Sequence, residues 1–163
     1  MKLSNGREVI ARRYQEQDAE AIVNLIRRNF LEVNVKDYGE KAMKELAEHH
    51  DVYWFRSVAA YANVYVFCVE DEIIGVGSIS SFWGSLTESI LLTIFVLPEL
   101  HGNGIGRYII QTLEQDEYFL RAKRIEIPSS ITACEFYKKV GYSYKNGIDV
   151  VDDEQLFRLE KFR

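Results

Sequence analysis

Between residues 96 and 107 the chain reads Val96-Leu97-Pro98-Glu99-Leu100-His101-Gly102-Asn103-Gly104-Ile105-Gly106-Arg107. An apolar, strand-like run enters a turn with three alternating glycines and leaves it at once as a helix. Glycine permits positive φ and lets backbone approach a ligand closely. A helix N-terminus offers N–H groups without acceptors and the positive end of the dipole. Together these features form a cradle for a phosphate or pyrophosphate. The fold must therefore feed a strand into a helix at a ligand-facing turn.

The rest of the chain limits what can surround that turn. Its 163 residues suit a single domain, residues 1–163, with room for a sizeable core. A net charge of −5 gives no basic footprint for nucleic acid. The longest apolar runs, such as Ile90 to Leu97, fall short of the roughly 20 residues of a membrane span. Cys68 and Cys134 lie in apolar segments and read as buried thiols. With no signal peptide in view, the expected setting is the cytoplasm. His49 and His50 are adjacent, so their side chains diverge on a helix, and no metal site is expected.

Periodicity predicts the layout. Glu8 to Arg13 reads as a first strand, and Asp18 as the N-cap of a helix whose buried stripe is Ile22, Leu25, Ile26 and Phe30. Helical patterns follow from Tyr38 to His50 and from Val52 to Ala62. Val64–Val69, Ile73–Ile79 and Thr87–Leu97 read as strands, the first two joined by a short acidic turn. After the glycine turn, Ile105, Tyr108, Ile109, Thr112 and Leu113 share a helix face. Arg124–Pro128 is a strand, Ala133–Val140 a helix ended by Gly141, and two last strands flank Asn146-Gly147 and an acidic loop. The expected fold class is mixed α/β: one central, mostly antiparallel sheet of six to seven strands flanked by about four helices.

Three glycine-loop chemistries compete. A Walker loop ends in Gly-Lys-Ser or Gly-Lys-Thr, whereas Arg107 and Tyr108 follow Gly106. A dinucleotide fingerprint needs G-x-G-x-x-G, but the third glycine here comes one residue early. The third is coenzyme A binding, and here the sequence resembles the GCN5-related N-acetyltransferase (GNAT) superfamily. That family's turn motif, Arg/Gln-x-x-Gly-x-Gly/Ala, is matched by His101-Gly102-Asn103-Gly104-Ile105-Gly106, with His in the first place. A second family segment appears as Ala133-Cys134-Glu135-Phe136-Tyr137-Lys138-Lys139-Val140-Gly141-Tyr142; the asparagine often found three residues before the alanine is Ser130. The order of elements matches over nearly the whole chain.

The resemblance implies a GNAT acyl-CoA N-acyltransferase fold and acetyl-CoA as the donor. It implies that the backbone from Gly102 to Arg107 holds the pyrophosphate, with His101, Asn103 and Ile105 in the turn and a charge from Arg107. It implies that Ile94, Phe95 and Val96 pair with the pantetheine arm between splayed strands, the Val96 N–H facing the thioester carbonyl. Tyr137 takes the place of the tyrosine that donates to the coenzyme sulfur, and is expected to act as general acid by direct proton transfer to it. For the general base, Glu126 resembles a glutamate of ribosomal-protein N-terminal acetyltransferases, with the interval to the tyrosine one residue short. Glu88 is a rival, although six residues from Ile94 is near 20 Å of strand, and a water chain is a third option. The expected activity is acetyl transfer to a primary amine of a small molecule or peptide. The alternative is a non-catalytic acyl-CoA-binding sensor or interaction module. A homodimer is left open, and Tyr53, Trp54, Phe55, Tyr61 and Trp83 are candidates for an acceptor wall or for packing.

Overall fold

A computed structural model describes residues 1–163. Seven strands form one sheet: β1 (Ile10–Arg13), β2 (Asn63–Val69), β3 (Glu72–Ser81), β4 (Glu88–Val96), β5 (Arg124–Ser129), β6 (Ser143–Tyr144) and β7 (Phe157–Phe162). Their order is β1-β2-β3-β4-β5-β7-β6, and all neighbours are antiparallel except β4 and β5. The last strand thus inserts between β5 and β6. The four longer helices are α1 (Ala19–Asn29), α3 (Glu40–His49), α4 (Val52–Tyr61) and α5 (Ile105–Leu113). Shorter ones are α2 (Val35–Tyr38), α6 (Glu117–Arg121) and α7 (Cys134–Lys139).

The helices sandwich the sheet. α5 buries Ile105, Ile109 and Leu113 against β3, where Gly75 and Gly77 carry no side chain to hold it off. On the other face, Phe30 at the end of α1 meets Phe95 of β4 edge-to-face, centroids 5.7 Å apart. Ile22, Leu25 and Ile26 are fully buried, as their spacing predicts. Cys68 and Cys134 are buried free thiols.

Two local expectations change, and one short helix had no counterpart among them. Asp18 stands at the N-cap position of α1, but its side chain makes no capping hydrogen bond to that helix. A 3-10 turn (Glu16–Asp18) runs straight into that helix, so the Asp18 carboxylate reaches back to the Gln15 N–H (2.8 Å) and grips Arg12 through both oxygens (2.8 and 2.9 Å). The helix expected from Tyr38 breaks at Gly39, whose φ of +88° ends α2 before α3 begins. The short α6, capped by Asp116 accepting from the Tyr118 N–H (2.8 Å), went unread because five residues give too little periodicity. Between α1 and α2 the helix widens into one π-helical turn, Phe30–Asn34.

Candidate functional site

The three glycines of the turn act differently. Gly102 and Gly104 have φ near +80°, where a side chain would strain the backbone. Gly106 has ordinary helical geometry, but a Cβ there would lie 3.1 Å from the Phe136 ring. Two glycines therefore shape the turn, and the third lets α7 press against α5. None of the backbone N–H groups from Gly102 through Arg107 has an acceptor within the protein. That leaves a curved row of donors at the start of a helix, which is what an anion requires.

The neighbouring strands open beside it. β4 and β5 pair only at Glu88–Arg124, Ser89–Ile125 and Ile90–Glu126; beyond these, β5 stays with β7 while β4 diverges. A bulge assists the divergence. Thr93 sits at φ +50°, an outlier for a β-branched residue, and the register against β3 shifts there. Buried Ser78 supports it by donating to the Leu92 carbonyl (2.7 Å) and contacting the Thr93 hydroxyl. Past the bulge, Phe95 pairs with Val76 and the Leu97 N–H donates to Ile74 (2.9 Å). Alternate residues of an antiparallel strand turn their polar groups to opposite sides. Val96 therefore presents its N–H and carbonyl to the gap. The carbonyl is already held by Asn29 Nδ2 (2.9 Å) and His101 Nε2 (2.8 Å), which leaves the N–H facing the opening.

The result is a cleft of about 660 Å³ that runs from the glycine turn between the splayed strands to the end of α1. Ile94, Phe95, Val96, His101, Gly102, Gly104, Ile105, Gly106, Arg107 and Tyr137 all line it; Asn103 sits outside the wall, its side chain bonded to the Leu100 carbonyl. His101 spends its Nε2–H on Val96. Arg107 makes no ion pair, and neither does Lys139 on the facing helix, so two free cations flank the row of N–H groups. The sequence reading missed Lys139, Asn29, Val33, Asn34, Ser130 and Thr132, which also line the cleft. A lysine beside the Phe136-Tyr137 pair carried some signal; the α1 asparagines carried none, because only folding brings them to β4.

Tyr137 is buried on α7. Its hydroxyl has no protein partner and opens onto the cleft, and burial pushes its pKa up, so it stays protonated. A Schellman closure fixes it: the Gly141 N–H bonds the Lys138 carbonyl and the Tyr142 N–H the Tyr137 carbonyl, with Gly141 at φ +106°. Glu126 is placed otherwise. It lies outside the cleft wall, 2% exposed, against Arg124, Lys145 (2.8 Å) and Arg158 (3.8 Å). Burial alone would raise its pKa, but Lys145 and Arg124 outweigh that and hold it low. Glu88 also lies off the cleft, paired to Arg124 (3.2 Å) at the start of β4.

Comparison with known proteins identifies the family and the fold. A family model described as an acetyltransferase (GNAT) domain matches residues 60–144. No curated protein matches the chain in sequence. Among solved structures, PaiA N-acetyltransferase from Thermoplasma acidophilum in complex with coenzyme A superposes with a TM-score of 0.79 at 16% identity, over 96% of this chain and 99% of that one. A GCN5-related N-acetyltransferase structure from Rhodopseudomonas palustris gives 0.79 at 20% identity, over 100% and 99%. N-acetylglutamate synthase from Neisseria gonorrhoeae, complexed with coenzyme A and L-arginine, gives 0.64 at 13%, covering 99% of this chain and 34% of the larger one. At these identities the likeness is one of fold.

Proposed function

The chain belongs to the GNAT acetyltransferase family, and from that premise we propose that it transfers an acetyl group from acetyl-CoA to a primary amine. The observation that carries the proposal is the unbroken path from the row of unpartnered N–H groups, Gly102 to Arg107, into the gap between β4 and β5. A pyrophosphate with a long, thin arm fits that shape. The N–H row, Arg107 and Lys139 bind the phosphates, and the arm runs along Ile94, Phe95 and Val96.

In the reaction the amine nitrogen attacks the thioester carbonyl and a C–N bond forms. Charge develops on the carbonyl oxygen, and the Val96 N–H, fixed by the β3–β4 ladder, is positioned to stabilise it. The C–S bond then breaks and the coenzyme leaves as a thiol, with one proton passing from the amine to solvent. A thiolate of pKa about 8.5 is a weaker base than tyrosinate. Tyr137, its pKa raised further by burial, therefore acts by donating a hydrogen bond to the leaving sulfur, which lowers the demand for a full proton transfer. No carboxylate lines the cleft. The amine accordingly reaches the thioester neutral, having lost its proton to water, and turnover rises with pH toward the amine's own pKa of about 10.4.

The first test is thermal unfolding with and without coenzyme A; absence of any stabilisation by the coenzyme refutes the proposal at its first step. The second is thiol release from acetyl-CoA across a panel of primary amines. Tyr137→Phe should lower kcat about tenfold or more with coenzyme affinity within twofold of the parent. Unchanged kcat removes Tyr137 from the chemistry. Coenzyme binding with no turnover on any amine favours the non-catalytic acyl-CoA-binding reading.

A further inference from the structure

The end of the cleft opposite the glycine turn is built by α1 and the π-helical turn that follows it. In a regular α-helix, residues five apart point about 140° away from each other. The wider i→i+5 turn at Phe30–Asn34 reduces that angle, and Asn29 and Asn34 both face the cleft. Both are more than nine-tenths buried, at 4% and 9% exposure.

Their carboxamide orientations follow from chemistry. Asn29 meets two carbonyl oxygens, Leu25 (3.0 Å) and Val96 (2.9 Å), which can only accept, so the group facing them is Nδ2. Asn34 meets the Thr132 hydroxyl (3.3 Å), whose proton is committed to Asp37 (2.7 Å), so Nδ2 faces it as well. Neither Oδ1 accepts a hydrogen bond from the protein, yet Tyr142 Oη is the only buried side-chain polar atom enclosed without a partner. Both Asn oxygens are therefore open, and the space they open to is the cleft. One of them belongs to a side chain bonded to Val96, the residue whose N–H faces the reacting carbonyl.

We propose that Asn29 and Asn34 seat the acceptor: their two Oδ1 atoms accept the N–H bonds of the attacking amine and aim its lone pair at the thioester. This rests on the acetyl-transfer reading above. Carboxamide oxygens suit that task in a cleft without a carboxylate. They bind N–H donors without the full negative charge that would hold the amine as an ammonium ion. Asn29 also ties α1 to β4, so Asn34 is the cleaner position to alter.

The probe is coenzyme A whose sulfur carries –CH2–CO–NH2, so that one nitrogen presents two N–H donors, compared with coenzyme A itself by calorimetry. Wild-type protein should bind the probe about tenfold tighter than coenzyme A. Asn34→Leu should lose about tenfold on the probe, the loss of one buried hydrogen bond, while its affinity for coenzyme A stays within twofold. A probe that gains nothing over coenzyme A in the wild-type protein, or a gain that survives Asn34→Leu, overturns the proposal while leaving acyl-CoA binding intact. Loss of all coenzyme A binding by the wild-type protein overturns the acetyl-transfer reading and this one with it. Asn34→Ser serves if the leucine variant does not fold. If neither folds, the side-chain amide signals of Asn29 and Asn34 in the wild-type protein decide: they must shift with the probe and not with coenzyme A alone.

Discussion

Gly77→Ala tests the link between sheet packing and the ligand turn. A Cβ at residue 77 would lie 2.5 Å from Ile109 Cγ2 and 3.2 Å from Leu113 Cδ1. Ordinary carbon contacts sit near 3.5–4.0 Å, so about 1 Å must be found. Ile109 cannot supply it by rotation, because Cγ2 is attached at its branched Cβ and the residue is fully buried. The helix α5 must lift from β3, and its first turn carries the N–H row with it. Overpacking of this kind costs about 1–3 kcal/mol, partly offset by about 0.5–1 kcal/mol from replacing a strand glycine. The net loss is about 0.5–2 kcal/mol, or a Tm lowered by about 1–8 °C for a chain of this size. Gly75→Ala is the control. Its nearest contact is the Ile109 Cδ1 tip at 3.3 Å, which can turn aside, so that variant should match the parent's Tm or exceed it slightly through the same strand-glycine gain. The assay is thermal unfolding with and without coenzyme A. Gly77→Ala should show both the lower Tm and a smaller stabilisation by the coenzyme. Equal behaviour of the two variants, or a Gly77→Ala protein with the parent's Tm, refutes the reasoning.

Two further outcomes follow from charged groups. Glu126→Gln leaves Lys145, itself a third exposed, without its carboxylate and should cost about 1.5–2 kcal/mol, because Arg124 keeps Glu160 and Glu88. Turnover at saturating substrates should stay within a few-fold of the parent; an inactive protein with an unchanged Tm would instead make Glu126 the base. Arg12's hydrogen bonds hold the Asp18 pKa below its usual 3.8. A depressed folded pKa contributes stability that is complete above the unfolded value and is lost as pH falls through the folded one. Asp18→Asn should therefore cost about 2 kcal/mol at pH 7 and flatten the acid limb of the stability profile below about pH 4. An unchanged limb in chemical denaturation between pH 2 and 5 contradicts this.

The outline of this protein was readable because much of it is written locally. Glycines at 102 and 104 demand positive φ wherever the chain goes. The period-two and period-3.6 patterns of β2–β4, α1 and α5 state which faces are buried, and the Phe136-Tyr137 helix with Gly141 carries its own stop. From those features the fold class, the glycine turn and a tyrosine on the helix after β5 could be read. What required the tertiary structure was every relation between distant residues. Glu126 reads by resemblance as a candidate base; only the return of β7 and the turn at Lys145 surround it with cations, off the cleft wall. Asp18 reads as a cap, and Arg12 reassigns it. Asn29 lies 67 residues from Val96 in sequence, with nothing around it to mark it, yet it touches the strand that faces the thioester in the proposed reaction. Backbone conformation depends on neighbours in the chain, whereas hydrogen-bond partners and burial depend on what the fold brings alongside. The glycine-turn end of the cleft was therefore legible in the sequence, and the opposite end took shape only once α1 lay against β4.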